Sequence, residues 1–216
     1  MERRKFIREL LLAGGALACR PGLDLADAMP SASSEVKRVL VAFTCHLDVG
    51  FTNTQAAVLA EYFDQYYPAA MQAANALREA GEDRYVWSTG SWLLYEYLEH
   101  ATGAARTRAE QAIGKGDMAW YAVPFNLETE MLDRSMLEGA LGISHALDRR
   151  FDKTTTGAKM SDVPGHTRGL VAPFAANGVK LLDIGVNGAS TVPAVPPLFV
   201  WQEPQGASVV MMYHHG

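Results

Sequence analysis

A parallel α/β fold is what this chain predicts, on three observations. Short apolar, β-rich runs alternate with longer helical patterns, glycines close several of the helical runs, and polar residues collect just past the strand runs. Val36 to Cys45 predicts the first strand, built on Val39-Leu40-Val41-Ala42-Phe43. Gln55 to Leu77 predicts a helix that Pro68 splits or kinks, because proline has no N–H to donate. Arg84 to Ser88 predicts a short second strand. Trp92 to Ile113 predicts a helix with Leu93, Leu94, Tyr97 and Leu98 at helical spacing, closed by Gly114 and Gly116. Asp117 to Val123 predicts a third strand, Glu130 to Phe151 a third helix, and Thr154 to Met160 a fourth strand. Arg168 to Asn177 predicts a fourth helix ended by Gly178, and Leu181 to Gly185 a fifth strand. A proline-bearing loop through Pro197 then leads to Leu198 to Trp201 and Ala207 to Tyr213, a hairpin around Glu203-Pro204-Gln205-Gly206. In such folds the site lies beyond the carboxyl ends of the strands, where His46, Asp48, Asn126, Glu128, Asp162 and Asn187 fall.

The first residues read as an export signal rather than fold. Arg3-Arg4-Lys5-Phe6-Ile7-Arg8 is a twin-arginine pattern, and the apolar stretch Leu10 to Ala18 behind it is too short to span a bilayer. Ala26-Asp27-Ala28 has the small-x-small form that a signal peptidase cuts after, so residues 1 to 28 are expected to leave. Ala16-Leu17-Ala18-Cys19 loosely resembles a lipoprotein cleavage site, and processing there would instead place a lipid anchor on Cys19. Either way the expected location is periplasmic or extracellular. Cys45 is then alone, which excludes an intramolecular disulfide and leaves stability to a hydrophobic core. The 216-residue chain carries a net charge of −5, and loss of residues 1 to 28 removes five basic and four acidic residues to leave −6. That balance argues against a nucleic-acid partner. Residues 36 to 216 show no linker, repeat or low-complexity tract and predict one domain. Nothing in the pattern fixes an oligomeric state. The chain stops three residues past the core-like run Val209 to Tyr213, which reads as a truncated end.

Two strings carry the chemistry. In Thr44-Cys45-His46-Leu47-Asp48-Val49-Gly50-Phe51 an imidazole and a carboxylate two residues apart follow a strand and suit zinc or a similar divalent ion. The alternative is structural, with Asp48 capping the next helical segment or holding a turn with Gly50. In Ser161-Asp162-Val163-Pro164-Gly165-His166 a rigid turn follows another strand, and the alternative there is that Asp162 starts the helix at Arg168.

Taken together, His46-x-Asp48-x-Gly50-Phe51 and Asp162-x-x-Gly165-His166, followed by a helix and Gly178-Val179-Lys180-Leu181-Leu182, resemble the N-terminal catalytic domain of glycoside hydrolase family 38, the retaining α-mannosidases. Tyr85-Val86-Trp87 with Trp92, Gly116 to Trp120, and Glu130-Met131-Leu132-x-Arg134 agree in order and approximate spacing. The resemblance covers about residues 36 to 216 and implies a seven-stranded (β/α)7-type barrel, incomplete at its C-terminus. It implies an exported enzyme that hydrolyses α-mannosidic or related bonds in a glycan or oligosaccharide. His46, Asp48 and Asp162 would hold zinc, and Asp162 would also be the nucleophile that forms a glycosyl-enzyme. Phe51, in place of the family's usual tryptophan, would stack on the sugar, and Trp120 and Asn126 are further substrate-binding candidates. Val163-Pro164 stands where the family has a Pro-Phe pair. The family's acid/base and last zinc histidine come from later segments. Glu128 is a chemically plausible substitute for the first, and His214 or His215 could supply an imidazole. Two other readings compete: a non-catalytic or truncated carbohydrate-binding relic of the fold, and a metal-dependent deacetylase or amidohydrolase that uses metal-bound water.

Overall fold

Helix α1 (Gln55–Glu61) begins at a cap: the Thr54 hydroxyl accepts the Ala57 N–H at 3.4 Å. The computed structural model describes residues 46–81 and 84–215. The export signal, Cys19, Cys45 and the strand expected over Val36 to Cys45 lie outside the described residues. The helical rod continues from α1 through a π turn (Tyr62–Tyr66) into α2 (Tyr67–Glu79). Pro68 therefore neither splits nor ends it. Having no N–H for the Asp64 carbonyl, the proline sits in the first turn of α2, and the ladder widens just before it. Tyr67 at that junction is fully buried, with its ring edge-on to Tyr97 at 5.1 Å and its hydroxyl donating to Thr89 Oγ1 at 3.4 Å.

Strand β1 (Trp87–Gly90) runs directly into α3 (Ser91–His100), which is followed by α4 (Gly103–Lys115). The single helix expected over Trp92 to Ile113 is thus two. Ala101 and Thr102 adopt extended backbone between them, yet Leu98, Ala101, Ala109 and Ala112 are all buried. The apolar spacing carries across the bend, so the pattern concealed it. Gly116, at φ +75°, closes α4 in the left-handed conformation that glycine adopts without steric cost. Next come β2 (Met118–Tyr121), α5 (Arg134–Phe151), β3 (Gly157–Asp162), α6 (Val171–Ala176) and β4 (Leu181–Val186). The hairpin β5 (Leu198–Gln202) and β6 (Ser208–His215) follows. Helix α5 is capped by Asp133, which accepts the Met136 N–H at 2.8 Å, and it buries the stripe Leu137, Leu141, Ser144 and Leu147.

The described strands form two sheets, β1–β2 and β3–β4–β6–β5, and not a closed seven-stranded barrel. All pairs are parallel except β5 with β6. Ala122 N–H bonds to the Gly157 carbonyl at 2.9 Å, which joins the exit of β2 to the entry of β3. Side chains alternate across each strand. Ala158, Met160, Leu182, Ile184, Val186, Val209 and Met211 pack with α5 and α6 residues in one core cluster. The opposite face carries Lys159, Ser161, Asp183, Gly185 and His214 toward the strand ends, with Leu181, Val210, Met212, Leu198 and Val200 partly exposed. A second core cluster gathers α1 to α4 around Trp120 and Met118.

Candidate functional site

A cleft opens where β1, β2 and β3 end. Gly90 makes it possible: a Cβ there would lie 2.1 Å from the Pro124 carbonyl oxygen, so only hydrogen lets the start of α3 approach the loop after β2. Ser91 N–H donates to the Val123 carbonyl across this contact at 3.2 Å.

The first string reaches this cleft through His46, whose Nε2 is 3.4 Å from Asp48 Oδ2. Both side chains are about one-third exposed, at 35% and 37%. Phe51 is 87% exposed and is not among the residues that line the cleft. The second string reaches the same cleft through Ser161, the residue before Asp162. Asp162 itself has φ +77°, a left-handed conformation uncommon for any residue but glycine and most tolerable for Asp and Asn. Its carbonyl accepts from the Asn187 side-chain amide at 2.7 Å and the Asn187 N–H at 3.4 Å. The Asn187 amide oxygen in turn accepts the Ala189 N–H and the Ser190 hydroxyl. The helix cap downstream is Thr167, which accepts the Gly169 N–H, so Asp162 is not spent on starting that helix.

Asn126 lines the cleft and accepts the Ser161 N–H at 3.0 Å. Three residues on, Thr129 Oγ1 accepts the Thr167 N–H at 3.2 Å and lies 3.3 Å from His166 Nδ1. These bonds tie the loop after β2 to the turn that carries Asp162. Glu128 is exposed and makes no capping bond. Trp120 faces away from the cleft: it is 7% exposed, and its indole N–H donates to Asp148 Oδ1 at 3.0 Å. Alternation along β2 puts Trp120 in the core and Tyr121 at the cleft.

Burial holds the His166 imidazole below its ordinary pKa, opposed by a hydrogen bond with the Val163 backbone, so neutrality is favoured in the folded state. The unfolded chain then binds the extra proton first, and stability falls as pH drops below about 6.5, the unperturbed histidine value. Chemical denaturation of the wild type is expected to show lower stability at pH 5.5 than at pH 7.5, with His166→Phe reducing the difference. An equal difference in both proteins would assign it to other groups.

Among the described residues no three His, Cys, Asp or Glu side chains converge to hold a metal ion. His46 and Asp48 offer a nitrogen and an oxygen side by side, but Asp162 is not brought into one cluster with them. The donor set is incomplete as it stands, and no chemical step is derived through a metal. A different cluster does form: Lys159 Nζ donates to Asp183 Oδ2 at 2.9 Å, and His214 Nε2 lies 2.9 Å from Asp183 Oδ1. These three come from adjacent strands, with Lys159 opposite Asp183 and His214 opposite Gly185.

No protein-family model matches the chain, and no curated protein matches it. Among solved structures it is similar to a 4-alpha-glucanotransferase from Thermococcus litoralis, at 12% identity and a TM-score of 0.54, covering 73% of this chain and 25% of that one. It also matches a glycosyl hydrolase family 38 protein from Enterococcus faecalis at 8% identity and a TM-score of 0.49, covering 69% and 17% respectively. The chain therefore spans a quarter or less of the length of either protein. The first likeness is one of fold alone, an α/β architecture shared with part of that transferase.

Proposed function

We propose that this chain carries the catalytic region of a retaining, α-mannosidase-like glycosidase that acts on α-mannosidic or related glycosidic bonds, with Asp162 as nucleophile. The observation that carries the reading is the backbone of Asp162, held at φ +77° at a parallel strand's end by Asn187 and adjoining the cleft through Ser161. Strained non-glycine backbone persists where its surroundings over-determine it, and such positions concentrate at functional sites. A carboxylate oxygen of Asp162 would attack the anomeric carbon as the glycosidic C–O bond breaks. A second carboxylic acid would give its proton to the departing oxygen and later take one from the attacking water. Incubation with an activated fluoroglycoside tests this: a covalent adduct that maps to Asp162 by mass spectrometry is the expected result, and an adduct elsewhere refutes the assignment.

The cleft favours one competing reading. Among the described residues lining it none is Asp or Glu: Asp162 only adjoins it through Ser161, and no proton donor of a two-carboxylate mechanism is supplied there. A carbohydrate-binding module without turnover would need no such group, and it predicts sugar binding with no adduct. Zinc belongs to the proposal through His46 and Asp48, which would supply two of its ligands. Elemental analysis of the purified chain is expected to find zinc that His46→Ala removes; equal zinc in both proteins would place any metal elsewhere.

A further inference from the structure

The floor of the cleft is lined by hydrogen-bond donors that the protein does not use up. Lys159 lies on the inward face of β3 with 8% of its surface exposed, and it lines the cleft. An ammonium has three N–H groups, and among the described residues that of Lys159 makes one hydrogen bond, to Asp183. Asn126 uses its amide oxygen on Ser161, which leaves its NH₂ with no hydrogen-bond partner among the described residues. Trp87 also lines the cleft, and its indole N–H is buried with no partner among the described residues.

Such an arrangement is costly unless something accepts from it. A buried donor without an acceptor loses its hydration for nothing, and a buried ion pair contributes little or negative net stability against a well-packed apolar pair. Helix-side neighbours of Lys159 on the same strand, Ala158 and Met160, show what this sheet does where packing alone is required. The charge of the ammonium is cancelled locally by Asp183, which His214 also contacts. With the ammonium already neutralised by Asp183, the pair offers no net charge to an anion, whereas neutral hydroxyl oxygens would accept from the remaining lysine N–H groups.

We propose that the Lys159–Asp183 pair, together with Asn126 and Trp87, is a recognition site for the vicinal hydroxyls of a neutral hexopyranose. The proposal rests on the glycosidase reading for its choice of a sugar as the polyol, and goes beyond it by naming residues in neither of the two sequence strings. Lys159 acts here as a specificity-determining binding group and not as a participant in bond cleavage. Asp183 positions it.

The test measures binding of methyl α-D-mannopyranoside to the full chain by ligand-observed NMR, with methyl α-D-glucopyranoside and D-mannuronate as competitors. Lys159→Met alone leaves the Asp183 carboxylate with His214 but without its ammonium, so the decisive variant is Lys159→Met with Asp183→Leu, which removes both charges together. Folding is checked by circular dichroism, and Lys159→Arg serves as a second variant that keeps the charge while altering the donor geometry. Affinity at least tenfold weaker in the folded double variant, with a measurable change in Lys159→Arg, is the expected result. Affinity within twofold of wild type, no pyranoside binding by the wild type, or preference for the uronate would each overturn it. Failure of the glycosidase reading is seen separately: no adduct at Asp162 while binding still depends on Lys159 removes the reading and leaves the site. An adduct at Asp162 in a double variant of unaltered sugar affinity removes the site and leaves the reading.

Discussion

Asp162→Asn is expected to fold as the wild type does and to lose covalent trapping and any glycoside turnover by a factor on the order of 10³ or more, the scale seen when a nucleophile is removed. The substitution is well matched to this backbone. Asparagine tolerates φ +77° as aspartate does, so the bonds from Asn187 to the residue 162 carbonyl remain and only the side-chain charge is lost. Asp162→Ala is a poorer test, because it adds strain of about 1 kcal/mol or more at positive φ to the chemical loss. Matching thermal unfolding of wild type and Asp162→Asn makes the rate comparison interpretable. A variant that turns over substrate at the wild-type rate would end the nucleophile assignment.

Gly90→Ala is expected to be the most damaging single-methyl change in the described cleft. The added carbon would stand 2.1 Å from the Pro124 oxygen and 2.9 Å from its carbonyl carbon, and both atoms are backbone that cannot rotate away. Relief requires the start of α3 to part from the loop after β2, which strains the Ser91 to Val123 hydrogen bond and displaces Asn126. Overpacking of this kind costs about 1–3 kcal/mol. For a chain of this size that is a fall in Tm of roughly 2–12 °C, since each kcal/mol moves it by about 2–4 °C. Gly139→Ala provides the contrast. It lies within α5 with nothing within 4 Å of the new carbon, and alanine there should stabilise by about 0.5–1 kcal/mol. Equal Tm values for the two alanine variants would show that the close approach at Gly90 is absent in solution.

The strand-and-helix order was legible because hydrophobic period reports burial, and burial is what the α/β layers share. It misled where burial continued through a change of direction. Ala101 is buried, as are Leu98 before it and Ala109 after it, so nothing in the apolar spacing announced the bend before Gly103. Pro68 misled in the other direction, since its missing donor reads as a break but can be absorbed by a π turn. Asn126, on the cleft, and the Asp162 turn beside it were readable from their places after β2 and β3. The clasp of Asn187 on Asp162 was not, because a side-chain bond to a carbonyl 25 residues away leaves no periodic trace. Lys159 escaped for a related reason. A lysine in a strand looks like a solvent-facing residue until strand register sets Asp183 opposite it.

That register has a temporal side. Strand β6 follows β5 in the chain yet lies between β4 and β5, pairing parallel to one and antiparallel to the other. During synthesis β4 and β5 therefore emerge with no partner for each other, and the edge of β4 waits for residues 208 to 215. His214 arrives with β6, so Asp183 stays without its imidazole until that strand pairs. Late pairing of distant segments is slow, and open strand edges invite association between chains. The polar contact among Lys159, Asp183 and His214 is thus formed only once β6 has paired with β4, which makes it a record of that pairing as well as a feature of the folded protein.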